Sequence, residues 1–387
     1  MGVFRFQALS DAQWSLIRAL LPRPTGRKGG PFSDARSMVE AIIDRYRTGI
    51  AWGDLPEVFG PWQTVWTWHH RMATDGTWDQ VLATLTARAD AAGKVDWSLS
   101  VDSTIARAHQ HATNITRLTG ASSNYKNSTA PEPLNHGIGR SRGGLSTKVH
   151  QLVDGHELAL VIAITAGQAG DSPMFWPLLT ELRVARAAGR PRTRPDAVRG
   201  DKVYSSPAIR AHLHERGITA VIPEPADQIG HRKRSGPRGD RPPAFDADDY
   251  RHPNVVERGF CHLKQWRGLA TRYDKLATTY RAATVLNAVI AVIAWSKHLS
   301  DTRWVTSSGT DNPAGQRDER RPMSPSIAPG SSVGSPTQRR SAVPPSQIPR
   351  PDRQSTQRSQ QQQRPPQQQP TQRPGPACAA PGLCQGR

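Results

Sequence analysis

The sequence predicts an α/β fold, a mixed sheet flanked by helices, preceded by a small helical domain and followed by a disordered tail. Three observations carry this. Apolar residues recur at helical spacing through the first 95 residues. From Asp96 onward, short segments alternate polar and apolar residues and are rich in β-branched types. After residue 300 the composition shifts to Pro, Ser, Gln and Arg, which cannot bury enough apolar surface to fold. The expected units are therefore 1–95, 96–300 and 301–387. A chain of 387 residues allows this division, because single cores stop growing at roughly 250–300 residues.

In SDAQWSLIRALLP, Ser10 is placed to cap a helix whose Trp14, Ile17 and Leu21 share a face until Pro22 ends it. A second helix is expected from about Ser33 to Tyr46, with Met38, Ile42 and Ile43 inward and Arg36, Asp44 and Arg45 outward. The turn-rich TGIAWGDLPEVFGPW leads into QTVWTWHHRM, an aromatic and basic helix, and a fourth helix covers about Asp79 to Ala91. QTVWTWHHRM is the candidate for a helix laid in the major groove, in a helix-turn-helix-like arrangement. It reads equally as a core helix with Val65, Trp66 and Met72 inside and its histidines solvated.

DWSLSVD begins the strand region, followed by LSTKVHQLVD and LALVIAITAG, with Gly155 at a hairpin turn between them. PDAVRGD and ITAVIPEP are later strands, separated by the short helix SSPAIRAHLHER. Helices interleave only toward the end, which implies a mixed sheet. Thr113–Arg142 and Gln228–Pro243 read as long irregular stretches.

The net charge of +19 and pI near 10.8 point to a polyanionic partner, nucleic acid first. The tail holds 12 Arg against 5 Asp and Glu, so +7 of that charge lies there and the rest of the chain is basic on its own account. GRKGG, GRSRGG and HRKRSGPRGDR are candidate phosphate-gripping loops. No stretch suggests a membrane span, and the apolar run from Ala282 to Trp295 reads as a buried helix. The N-terminus lacks the pattern of a secretory signal, so a cytoplasmic protein is expected. Three cysteines without metal or disulfide spacing argue against structural zinc and redox roles.

Cleavage of phosphodiesters by two metal ions needs hard oxygen ligands converging from separate elements. Asp102 at the close of SLSVD, Asp201 after PDAVRG and Glu257 in the helix NVVERGFCHLKQW stand where such a site could form. In that helix Val256, Phe260 and Leu263 share the apolar face. Each acid alone reads as readily as a strand terminator or a surface residue. Arg107, His109 and His111 follow Asp102; the HxH spacing lacks zinc-type partners and reads as phosphate contact or solvation.

The segments VDSTIARAHQHA, GRSRGGLSTKVH, TAGQAGD, GDKVYSS and NVVERGFCHLKQWRGLATRYDKLA, in this order, resemble bacterial insertion-sequence transposases of the IS-five kind, over about residues 7–298. The resemblance implies a ribonuclease H-like catalytic core with Asp102, Asp201 and Glu257 as the catalytic, metal-binding acids. It also implies two Mg2+ or Mn2+ ions, double-stranded DNA as partner (terminal inverted repeats and target), and a homo-oligomer on DNA, associated with the nucleoid. The implied activity is cleavage at element ends and joining to target DNA. The family's pattern of Tyr, Arg, Glu and Lys around the glutamate is met by Tyr250, Glu257 and Lys264, whereas Pro253 occupies the arginine position. Arg251 or Arg258 is a possible substitute. Together with Arg107, Arg142 and Lys148, the residues Tyr250, Arg258 and Lys264 are the expected DNA contacts. Pro253 and the tail motivate the alternative, a catalytically impaired remnant that only binds DNA.

Overall fold

The computed structural model describes residues 9–22, 34–114, 132–239, 241–250 and 255–297. Helix α1 (Asp11–Arg18) opens with a capping box in which Gln13 N–H donates to Ser10 Oγ and Ser10 N–H to Gln13 Oε1. Helix α2 (Ala35–Thr48) starts at the Asp34 cap and stops at Gly49, whose φ of 73° turns its N–H onto the Arg45 carbonyl. A side chain is excluded there twice over, because a β-carbon at 49 would also lie 2.9 Å from Arg267 Cβ. Helices α3 (Trp62–Thr74) and α4 (Thr77–Ala91) complete the N-terminal set.

The chain then enters β1 (Ser98–Ala108), α5 (Gln110–Thr113), β2 (Gly139–Ser141), β3 (Gly144–Val153) and β4 (Ala159–Ala166). Next come α6 (Phe175–Glu181), β5 (Ala197–Gly200), α7 (Pro207–Glu215), β6 (Thr219–Val221), α8 (Ala226–Arg234) and α9 (Ala247–Tyr250). The last elements are α10 (Val255–Gln265), α11 (Arg267–Ala270), β7 (Thr271–Arg272) and α12 (Ala277–Lys297).

Among the described residues the sheet has seven strands in the order β2-β3-β1-β5-β6, with β4 beside β3 and β7 beside β1. Pairings along β2, β3, β1 and β4 are antiparallel, while β5 is parallel to both β1 and β6. The difference follows from the connections. A tight turn at Asp154–Leu158 joins β3 to β4, whereas α6 and α7 carry the crossovers that parallel strands need. The mixed sheet flanked by helices expected from the sequence is thus the observed architecture.

Each face of the sheet buries its own apolar layer. Ala106, Val149, Val153 and Ile162 face α10, α12 and the N-terminal helices. Leu99, Val101, Leu152 and Val161, one residue out of phase, face α6 and α7. Helix α12 is the spine of the first layer. Its Arg281 donates to the Ile162 carbonyl of β4 at 2.9 Å and forks onto Asp79 of α4 at 3.0 and 2.8 Å. The N-terminal helices and α12 therefore share one core, and all described residues lie in a single compact unit, Met1–Thr310.

Several expectations need correction. Arg45, expected outward, is only 3% exposed: it pairs with Asp274 at 3.4 Å and its guanidinium lies over the Tyr46 and Trp52 rings. His69, expected on a solvated face, is fully buried and contacts Tyr46 Oη at 3.0 Å; burial pushes its pKa down to about 4. Part of Gln228–Pro243 is helical, because α8 runs to Arg234. The α12 stretch Ala277–Trp295, with mean hydropathy 1.4, is long and apolar enough to cross a membrane by length and composition, contrary to the sequence reading. Two-thirds of it is buried against protein, which accounts for that composition in a core helix. The expected tail, 301–387, lies outside the described residues.

Candidate active site

Asp102 lies inside β1, not at its end as the sequence suggested. The strand continues to Ala108 because β3 pairs with it as far as Arg107↔Ser146. Asp201 follows β5 and starts a short 3-10 turn, Lys202–Tyr204, its carboxylate accepting from Val203 N–H at 2.9 Å. The parallel register of β1 and β5 ends at Val101↔Gly200. Asp102, still within β1, and Asp201, the first residue past β5, therefore each follow the last paired rung of neighbouring strands, whose usual spacing is about 5 Å. Gly200 matters here, since a β-carbon would lie 3.2 Å from both Tyr204 Cδ2 and Val101 Cγ1; without one, Tyr204 packs directly under the strand end.

Helix α10 buries Val256, Phe260 and Leu263, the face expected from their spacing, against β1 and β3. Glu257 is left exposed, and its charge acts on Asp102. Burial pushes the Asp102 carboxyl up to about 6, reinforced by the charges of Asp201, Asp171 and Glu257 and opposed by the Ser103 N–H. Tyr250 is raised by burial and then by Asp201, Glu257 and Asp102, which places its phenol in the same negative field. Tyr204 is also raised, by burial and by Asp102, Asp171 and Asp201.

Among the described residues no three His, Cys, Asp or Glu side chains close on one point, so the triad is an open cluster. Its donor set, three carboxylates and no nitrogen or sulfur, suits a hard divalent cation. Burial raises Asp102 most, and the neighbouring Asp201, Asp171 and Glu257 charges add to it, a contribution that a cation held among these acids would offset.

The expected DNA contacts divide. Arg107 is exposed on β1, Arg142 is exposed in the β2–β3 turn, and Lys264 is exposed seven residues beyond Glu257 on α10. Lys148 and Arg258 are instead engaged within the protein. Lys148 Nζ donates to Asp171 Oδ1 and to the Ala169 carbonyl, both at 2.8 Å, and Arg258 pairs with Glu157 of the β3–β4 turn. Arg251 and Pro253 lie outside the described residues. His109 accepts from His111 N–H at 3.3 Å and packs on the Tyr273 ring at 4.7 Å.

Sequence reasoning missed Asp171. Its carboxylate accepts from Ser103 Oγ at 2.6 Å and from Lys148, adjacent to Asp102 in the sheet. Burial works to raise its pKa, but Lys148 and Ser103 outweigh burial and hold it below the ordinary carboxylate value. The signal was present in TAGQAGD, the residues leaving β4, but only the tertiary pairing of β3 with β4 brings it under β1.

Comparison with known proteins agrees with this frame. Residues 94–292, about half the chain, match the family described as "Transposase DDE domain", and residues 9–82 match "Putative transposase of IS4/5 family". The chain belongs to the DDE transposase family, the enzymes that cut and transfer nucleic-acid strands. Among curated relatives, an uncharacterized protein, y4sN, of Sinorhizobium fredii is 39% identical over 112 residues, covering 29% of this chain and 86% of the relative. The uncharacterized 16.2 kDa protein of insertion element IS402 from Burkholderia cepacia is 33% identical over 108 residues, covering 26% and 73%. A solved structure, that of a pre-cleavage Mos1 transpososome, aligns over 74% of this chain and 83% of its own at 13% identity and a TM-score of 0.21, a likeness too slight to carry an argument.

Proposed function

We propose that this transposase cleaves phosphodiesters at insertion-sequence ends and joins the freed ends to target DNA, with Asp102, Asp201 and Glu257 as the acids that hold two divalent cations, Mg2+ or Mn2+. The single observation that supports this most is the placement of Asp102, within β1, beside Asp201, the first residue past the end of parallel β5, with the Glu257 charge acting on Asp102. Bound cations would polarise the attacking and leaving oxygens of the scissile phosphate. The chain's own contribution is positioning. The sheet fixes the two aspartates relative to each other, and α10 carries Glu257 and Lys264 on one exposed flank.

Double-stranded DNA, both terminal repeat and target, is the proposed partner. Arg107, Arg142 and Lys264 supply exposed positive charge for its phosphates, and Tyr250 lies in the negative field of the acids as a positioning group. Lys148 and Arg258 are assigned to the scaffold because their charges are already met by Asp171 and Glu157. The helical segment 1–95 is proposed as the region that recognises element ends, and 96–300 as the cutting domain. A homo-oligomer bridging two ends, at work in the cytoplasm on nucleoid DNA, completes the reading.

The test is a strand-cleavage and strand-transfer assay with Mg2+ on element-end duplexes. Activity in the wild type, lost in Asp102→Asn, supports an active enzyme. DNA binding without any cleavage supports the impaired remnant that Pro253 motivates, and equal cutting of unrelated DNA supports a plain nuclease.

A further inference from the structure

The segment joining α6 to β5 forms a short arginine-bearing hairpin at the end of β5 opposite Asp201. Val184 and Arg192 exchange both backbone hydrogen bonds, at 2.9 and 2.8 Å, and close a loop whose residues 185–191 are all exposed. Leu182 and Val184 are buried, so Arg183 between them points outward. The foot of the hairpin is fixed. Arg192 lies 3.9 Å over the Trp97 ring and pairs with Asp196 at 2.7 Å, and Arg194 and Arg216 each donate to a carbonyl of the neighbouring segment. Residues 182–195 contain five arginines and no Asp or Glu. Arg183, Arg186 and Arg190 are exposed and enter no ion pair among the described residues. At the tip, Ala187, Ala188 and Gly189 (φ 86°) leave the loop slim, with nothing within 4 Å of a β-carbon at 189.

We propose that this hairpin is a second grip on duplex DNA, sequence-independent and directed at the phosphates of the duplex that continues past the carboxylates. The proposal rests on the DNA-cutting reading above. A rigid foot with free guanidinium groups suits phosphate, which arginine contacts through paired donors. Asp196 and Asp201 flank β5, five residues apart, about 16 Å at strand rise. Roughly five base pairs cover that distance at 3.4 Å per nucleotide of one strand, so a duplex laid along the β1–β5 axis would span from the foot of the hairpin to the carboxylates.

The experiment compares wild type with the triple variant R183Q/R186Q/R190Q in full-length protein, binding element-end and unrelated duplexes across a salt series. The slope of log K against log salt is expected to fall by about 2–3, at about 0.9 per phosphate contact, and equally on both sequences. The matching triple lysine variant should retain the wild-type slope. Should the triple variant misfold, Arg186→Gln at the exposed tip should lower the slope by about 0.9 on its own. An unchanged slope in a folded variant, or a loss confined to the element-end sequence, overturns the assignment of the hairpin. Wild-type protein that binds no duplex at all overturns the DNA reading itself.

Discussion

Asp102 in β1 and Asp201 at the end of β5 occupy the same level of two hydrogen-bonded parallel strands, one residue beyond the last paired rung, Val101↔Gly200. The paired strands place Asp102 and bring the chain to Asp201, which the turn Lys202–Tyr204 then holds through the Val203 N–H. Burial raises the Asp102 carboxyl first, and the charge of Asp201 adds to that rise.

Replacement of either aspartate by Asn, or of Glu257 by Gln, is expected to cut strand cleavage by at least about 100-fold, the scale of losing one preorganised electrostatic group. Duplex binding should persist, because the basic surface is untouched. Retention of near-normal cleavage by any one of the three would remove that residue from the site.

The Asp102 pKa of about 6 carries a pH signature. Cleavage should rise as pH increases through about 6, as the carboxylate forms, and saturating divalent cation should move that limb to lower pH. The stability sign is opposite. An acid raised from 3.8 to about 6 binds more protons folded than unfolded in that window, so it costs stability as pH rises from 4 to 6. Asp102→Asn should therefore be more stable than wild type at pH 7.5, by about 1–2 kcal/mol after allowance for partial exposure. Thermal denaturation should show no such advantage at pH 4; an equal advantage at both pH values contradicts the assignment.

Lys148 and Asp171 should behave as a coupled pair. Lys148→Met leaves the half-buried Asp171 carboxylate with the Ser103 hydroxyl but without its cation, and is expected to cost about 1–2 kcal/mol. In urea unfolding, the double variant K148M/D171N should lose less than the sum of the two single variants. Strict additivity would mean that the 2.8 Å contact contributes nothing.

Asp274→Ala should be among the most damaging substitutions in the chain. It strips Arg45 and Tyr46 of their shared acceptor, where the Arg45 and Asp274 side chains are 3% and 5% exposed. The expected cost is about 3–5 kcal/mol, the scale for orphaning a buried charge. A urea midpoint within error of wild type would refute this, and would also deny that the pair docks α2 against the turn leading into α12.

Local sequence pattern was enough to write the elements and to single out the candidate acids. Ser10 with Gln13 wrote a capping box, Val256, Phe260 and Leu263 wrote one face of α10, and the period-two segments wrote the strands, because each signal is local and within a turn or two of chain. Asp102, Asp201 and Glu257 were legible as candidates through the short segments around them. Only the tertiary structure decided the company these residues keep. The length of β1 beyond Asp102 depends on pairing with β3, from Ser103↔His150 to Arg107↔Ser146, which comes later in the chain. The burial of Arg45 and His69 depends on Asp274 and Thr279 from the far end of the chain. Lys148 and Arg258 read as free cations until Asp171 and Glu157 arrive beside them. Charge and burial are properties of neighbours brought together by folding, and local pattern carries no information about which distant acid will meet a given base.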